Sequence, residues 1–291
     1  MDAVSRIRAL PLWDGPVEPV PLTGGITNTN FVVNDAGRRY VVRVGEDIPY
    51  HGILRSAELA ASRAAHAAGV SPAVVHAEPG LLVLDHIDGR TYGEADVRAD
   101  LDRVVELVIR THRGIPEHLR GAAPIFWVFH VLRDYAHQLR AADFRLNAEL
   151  PRYLALAERL EKAVGPVDIV FGHNDLLPAN FIDDGSRLWL IDWDYAGFNS
   201  PLFDLGNLAS NNAFSEAESE RLLELYFDRP VDDALRLRFH AMLVASLLRE
   251  AMWSMAAEVN STLDFDYRAY TAENLARFEA ALVRFNEMES R

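Results

Sequence analysis

The segment His173-Asn174-Asp175-Leu176-Leu177-Pro178-Ala179-Asn180 and the later run Ile191-Asp192-Trp193-Asp194-Tyr195 concentrate polar groups in apolar surroundings. The first follows Ile169-Val170-Phe171 and the second follows Leu188-Trp189-Leu190, so each polar cluster starts at the end of a short strand-like run. Side chains placed there border a cleft, where two carboxylates can converge with an amide. A carboxylate and an amide oxygen are hard ligands that suit Mg²⁺, which keeps several waters and adds phosphate oxygens from a substrate. A separate carboxylate can accept the proton of a hydroxyl nucleophile. Phosphoryl transfer requires this set: a positioned base, metal ligands and phosphate clamps. Taken singly, Asp192 and Asp194 read as solvated turn carboxylates; the constellation argues for more.

Working outward, the 291 residues are 49% hydrophobic and 25% charged, an ordinary globular composition. The length corresponds to about two domains at roughly 150 residues each, and it suffices to bury a core without staples. Acidic residues number 43 and basic residues 29, for a formal net charge of −14. That balance is poor for gripping a phosphate backbone, so no nucleic acid partner is expected. Cysteine is absent, which excludes disulfides, thiolate zinc sites and a thiol nucleophile. Met1–Gly15 holds no signal-like apolar stretch, and no run approaches the roughly 18 apolar residues of a membrane span. The expectation is a cytoplasmic protein with no membrane partner. Lysine occurs once, at Lys162, and every other basic residue is an arginine. Chemistry that ordinarily uses a lysine in the first half of the chain must therefore use arginine here.

Pro11, Pro16, Pro19 and Pro21 argue for strands and turns at the start. After Gly24-Gly25, the runs Asn30–Val33 and Arg39–Val44 flank Asn34-Asp35-Ala36-Gly37 and read as a hairpin. Ser56–Ala68 is alanine-rich and suits a helix that ends at Gly69. Leu81–Leu84 reads as a buried strand, followed by the polar connector Asp85–Arg90. Beyond it the spacing predicts helices over 96–112, 126–139, 151–164, 216–227, 232–259 and 267–284. Between the third and fourth lies the β-like island that carries the polar clusters, read as one hairpin-like insert.

His173-Asn174-Asp175 with Asn180, followed by Ile191-Asp192, resembles the catalytic loop and metal motif of aminoglycoside phosphotransferase-type small-molecule kinases. The extension Asp192–Asn199, continued by Phe203-Asp204-Leu205-Gly206-Asn207, is similar to the choline/ethanolamine kinase branch, I-D-[FW]-[ED]-Y-x-x-x-N and then F-D-[IL]-[AG]-N. Leu22–Phe31 resembles that family's nucleotide loop, L-x-G-G-[LIM]-[ST]-N-x-[NL]-[FY]. The resemblance implies an α+β, two-lobed protein kinase-like fold, with a small β-rich lobe over 1–86 and a larger, mainly helical lobe over 87–291. It implies ATP and Mg²⁺ as cofactors and transfer of the γ-phosphoryl group to the hydroxyl of a small amine-bearing alcohol such as choline or ethanolamine. Asp175 then corresponds to the catalytic base, and Asn180 and Asp192 to Mg²⁺ ligands. Asp194 is a further acid that helps at the metal through water or a second ion. Gly24, Gly25 and Asn28 correspond to the phosphate loop, Arg43 to the phosphate-holding cation and Glu58 to its partner. His173 is expected to brace the loop, and Asp204 and Asn207 to tie it down.

The same resemblance places the acceptor site on Glu250, Trp253, Tyr267 and Tyr270, beside Asp175. The family reads W-x-x-W-S there, and Glu250 stands where its first Trp would be. A quaternary ammonium is attracted by aromatic faces, so this departure leaves a choline cage incomplete. A glutamate could instead pair with a primary or secondary amine. No acid follows Asn207 in Leu208-Ala209-Ser210-Asn211-Asn212, where choline kinases tend to carry a Glu. Thiamine, an aminoglycoside or another hydroxylated metabolite therefore remain open as acceptors. A nucleotide-binding pseudokinase and a metal-dependent hydrolase are the readings from other classes, and a homodimer is left open.

Overall fold

The computed structural model describes residues 2–22 and 27–290. It begins with the short helix α1 (Ala3–Arg8), capped by Asp2. The early prolines predict no helix, but six residues fit ahead of Pro11. A five-stranded antiparallel sheet follows, built from β1 (Val20–Leu22), β2 (Thr29–Asp35), β3 (Arg38–Val44), β4 (Val74–Glu78) and β5 (Leu81–Asp85) in the order β1-β2-β3-β5-β4. β2 and β3 form the expected hairpin: Asp35 pairs with Arg38, and Ala36 and Gly37 take the positive φ that a two-residue turn requires. β4, which went unread, is short and bulged between Val74 and His76. One face of the sheet closes a small core of Phe31, Val33, Val42 and Val83 with Ile7 and Leu10.

Helix α2 (Arg55–Ala67) lies between β3 and β4 in sequence and ends at Gly69, whose φ is +73°. Its alanines give a thin face that permits close approach. Ala61, Ala64 and Ala65 consequently join the large core rather than the sheet's own. The chain has crossed into the second lobe by β6 (Arg90–Thr91), which pairs with β8 (Phe181–Asp183). The remaining helices are α3 (Glu94–Ala99), α4 (Leu101–His118), α5 (Val128–Ala141), α6 (Leu150–Val164), α7 (Pro201–Asn211), α8 (Glu216–Phe227), α9 (Asp233–Asn260) and α10 (Tyr267–Glu289). α9 packs against α5, α6, α7 and α10 and buries residues all round its middle, as a central helix must.

The β-like island is two units rather than one hairpin. β8 pairs with β9 (Leu188–Leu190), whereas β7 (Val170–Gly172) pairs with β10 (Gly197–Asn199). α7 is the one long helix the periodicity missed. Pro201 through Ala209 are buried on every side, so no apolar stripe marks it.

Candidate active site

The catalytic-loop segment leaves β7 at Gly172 and is held from beneath by α7. A Cβ at Gly172 would lie 2.8 Å from Asn174 Oδ1 and 3.2 Å from Asp204 Oδ2, so only glycine fits. Asp204 accepts from the backbone N–H groups of His173 and Asn174, both at 2.7 Å, and from His112 Nε2 at 2.9 Å. Burial alone would raise its carboxyl, but these bonds hold it below the ordinary carboxylate range. Asn207 Oδ1 accepts from Leu176 N–H at 2.6 Å. Asn174 has φ +66°, a left-handed backbone that non-glycine residues seldom adopt. Its amide repays this by donating to Tyr195 O at 2.9 Å.

Asp175 stands at the tip of this loop. Asn180 Nδ2 donates to Asp175 O at 2.9 Å, which fixes the amide and leaves Oδ1 for a ligand. His173 donates from Nε2 to Ile191 O at 2.9 Å and accepts Asp175 N–H on Nδ1 at 3.3 Å. It thereby joins the two polar segments, and burial keeps its ring neutral by lowering its pKa. Asp192 also sits at positive φ, +71°. Its Oδ1 accepts from Arg43 Nη2 at 2.8 Å. Burial pushes the Asp175 carboxyl up to about 8; Arg249 opposes this, and Glu250, Asp192 and Asp194 reinforce it.

Arg43 reaches into this cleft from β3 and is buried among carboxylates. Nη2 also donates to Asp194 Oδ1 at 3.1 Å, and Nε lies 3.2 Å from Glu58 Oε1. Asp194 is buried with both oxygens engaged. Oδ1 also accepts from Arg55 Nη1 at 2.7 Å, and Oδ2 accepts from Thr27 Oγ1 at 2.8 Å and Asn28 Nδ2 at 3.2 Å. Asp194 therefore joins the lobes here, and an ion would reach it only after those bonds open. Arg55 was not singled out from the sequence. It also donates to Glu58 Oε2 at 2.8 Å and to Thr27 O at 3.0 Å. Its place one helical turn ahead of Glu58 was the available signal. Between the neighbouring acids, burial is offset at Asp192 by Arg43, which lowers its pKa, whereas burial and the charge of Asp192 raise that of Asp194. Gly24 and Gly25 lie outside the described residues.

On the other side of Asp175, the structure brings Glu250, Trp253, Tyr267 and Tyr270 together. Trp253 lies 6.2 Å from Tyr267 and 6.4 Å from Tyr270 between ring centroids, and its Nε1 donates to Tyr195 OH at 2.7 Å. Glu250 accepts from Tyr270 OH at 2.8 Å and from Arg249 Nη1 at 2.9 Å. Its carboxylate is thus already paired within the protein. His51, which the sequence reading passed over, stacks on Trp253 at 4.6 Å with an interplanar angle of 13°. One face of the indole is consequently covered.

The chain as a whole is similar to known proteins. A profile described as the phosphotransferase enzyme family matches residues 18–240. The crystal structure of a choline/ethanolamine kinase family protein from Mesorhizobium loti is 29% identical with a TM-score of 0.78, over 98% of this chain and 96% of that one. Protein LicA of Haemophilus influenzae is 27% identical over 72% of this chain, and the match spans 62% of LicA's own length. Ethanolamine kinase 2 of Mus musculus is 25% identical over 90% of this chain and 73% of its own.

Proposed function

Since the chain belongs to the phosphotransferase enzyme family, we propose that it transfers the γ-phosphoryl group of ATP to the hydroxyl of a small amino alcohol. The observation that carries this reading is the convergence of Asp175, Asn180, Asp192 and Arg43 on one cleft between the lobes. Asn180 Oδ1 and Asp192 are the residues that would hold Mg²⁺. Their oxygens suit a hard cation that completes its shell with phosphate and water. When bound, the ion neutralises charge on the phosphates. No group of three or more His, Cys, Asp or Glu that could hold a metal ion by itself occurs among the described residues.

The chain's own residues do the rest. Arg43 is fixed by Glu58 and supplies the phosphate-holding charge that lysine usually supplies. Asn28, held against Asp194, borders the phosphate side of the cleft. Asp175 orients the acceptor hydroxyl and takes its proton; its raised pKa suits a base that must accept one. Asp194 keeps the lobes in register through Arg55, Thr27 and Asn28. Positioning and charge stabilisation then provide the rate.

The acceptor pocket favours a protonated amine over a quaternary ammonium. One face of Trp253 is taken by His51, and a carboxylate replaces a second indole, whereas a trimethylammonium group needs aromatic faces around it. An N–H donor, by contrast, finds the lone pairs that Glu250 and the Tyr270 oxygen keep beyond the bonds from Arg249 and Tyr270 to that carboxylate. Choline, ethanolamine, methylated ethanolamines, thiamine and an aminoglycoside should be compared by ADP release with Mg·ATP. Ethanolamine should exceed choline, and Asp175→Asn should reduce its turnover by about 10²–10⁴-fold while nucleotide binding persists. ADP release that is indifferent to every acceptor, or to Asp175→Asn, would sink the proposal.

A further inference from the structure

Arg249 stands on α9, one turn before Trp253, and is only 2% exposed. Its guanidinium lies over the ring of Tyr195 at 4.4 Å, and 5.7 Å from that of Phe126. Nη1 donates to Glu250, but Nε and Nη2 are buried with no hydrogen-bond partner among the described residues. Neutralising Glu250 needs a single N–H. Leaving two further donors of one guanidinium unpaired in the interior is costly, and native proteins seldom do it. The cluster around Arg249 is the acceptor side of the cleft: Glu250 and Tyr270 on one flank, Tyr195 and Trp253 on the other, and Asp175 within electrostatic reach. Glu250 keeps 19% of its side chain exposed, so the pocket opens on that side.

The charge balance narrows what the free donors can take. Glu250 already pairs with the guanidinium at 2.9 Å, so a further anion would enter the interior with no net positive charge to meet it. A neutral oxygen meets no such penalty, and a charged donor makes a stronger hydrogen bond to it than a neutral one would. On the premise that the chain phosphorylates an amino alcohol, we propose that Arg249 determines specificity by holding a second, neutral oxygen of the acceptor on Nε and Nη2. The substrate class is then a small amino diol rather than a simple amino alcohol.

The test compares kcat/KM for 2-amino-1,3-propanediol, ethanolamine and serine in the wild type, Arg249→Met and Arg249→Lys. The wild type should prefer the amino diol to ethanolamine by about tenfold or more, with serine below both. Arg249→Met should bring the ratio of diol to ethanolamine close to one, and Arg249→Lys should retain part of it. A wild-type ratio near one would overturn the inference and leave the free donors to ordered water. So would a variant that lowers both acceptors by the same factor, because a merely structural arginine would act that way. Should Arg249→Met not fold, the wild-type ratio and Arg249→Lys still decide. Turnover of no amino alcohol at all is a different failure: it removes the kinase reading itself, and this inference with it.

Discussion

Asp175, Asp192 and Asp194 share one cleft but meet different environments. Asp192 has Arg43 against one oxygen, Asp194 has four donors, and Asp175 is half-buried near other acids, with the charge of Arg249 opposing them. The neutral rings nearby are as specific. Burial, and then the charge of Arg249, depresses the pKa of His51 to about 3, where it packs between Tyr135 and Trp253. The unfolded chain protonates such a ring near pH 6.5. Its contribution to stability is therefore fully present above that pH and is lost as pH falls toward 3. Between about pH 7.5 and about pH 5, urea unfolding should show a loss on the order of 2 kcal/mol from this ring. His51→Phe should flatten the slope by a similar amount, and an unaltered slope would show that His51 is not held neutral. His240, depressed to about 4 by burial, adds a loss of the same sign that this variant does not remove.

Among the elements, α7 and α2 control the site without supplying its chemistry. α7 touches α9 at Gly206, where a Cβ would fall 2.8 Å from Leu243 N and 2.9 Å from its Cα. Gly206→Ala must push the helices apart, at a cost of about 1–3 kcal/mol. Because α7 also carries Asp204 and Asn207, the same change should lower kcat as well as Tm. Wild-type turnover in a destabilised Gly206→Ala would show that the catalytic loop does not depend on that contact. α2 carries both Arg55 and Glu58. Arg55→Met removes a charged donor from Asp194 and Glu58, and should raise KM for Mg·ATP by roughly tenfold with less effect on the acceptor's KM. An effect confined to the acceptor would place Arg55 on the wrong side of the site.

In the molecule as a whole, the lobes meet through the ionic contacts of Arg43 and Arg55 and through the alanine face of α2. The sheet keeps its own small core with α1, whereas the alanine face of α2 belongs to the large core. The first lobe is thus anchored by a helix and closed by the Arg43 and Arg55 bridges to Asp192 and Asp194. The whole sequence holds one lysine, and Lys162 is exposed on α6 beside Glu158. Reductive methylation of the protein's amines should therefore leave kcat and KM for ATP unchanged. Inactivation that ATP protects against would contradict the assignment of the phosphate-holding charge to Arg43.

The sequence by itself determined the parts that are local. Asp175 and Asn180 lie in one short loop, and Asp192 follows the β8–β9 hairpin that directly succeeds it, so spacing along the chain nearly equals arrangement in space. The β2–β3 turn and helices α8 and α10 were legible for the same reason, since turn residues, caps and periodicity act over a few positions. Arg43 was read through its neighbours and through the lack of lysine in the first half of the chain. α7 was not legible, because burial on all sides erases the amphipathic signal. The tertiary structure alone decided that Arg55 reaches Asp194, that His51 covers Trp253, and that Glu250 is already paired with Arg249 while two of that arginine's donors find no partner among the described residues. The first two of these contacts join residues far apart in the chain, and the third depends on how α9 is buried. Hydrogen bonding and packing at such sites are settled by which surfaces the fold presses together, and one sequence carries no periodicity that records it.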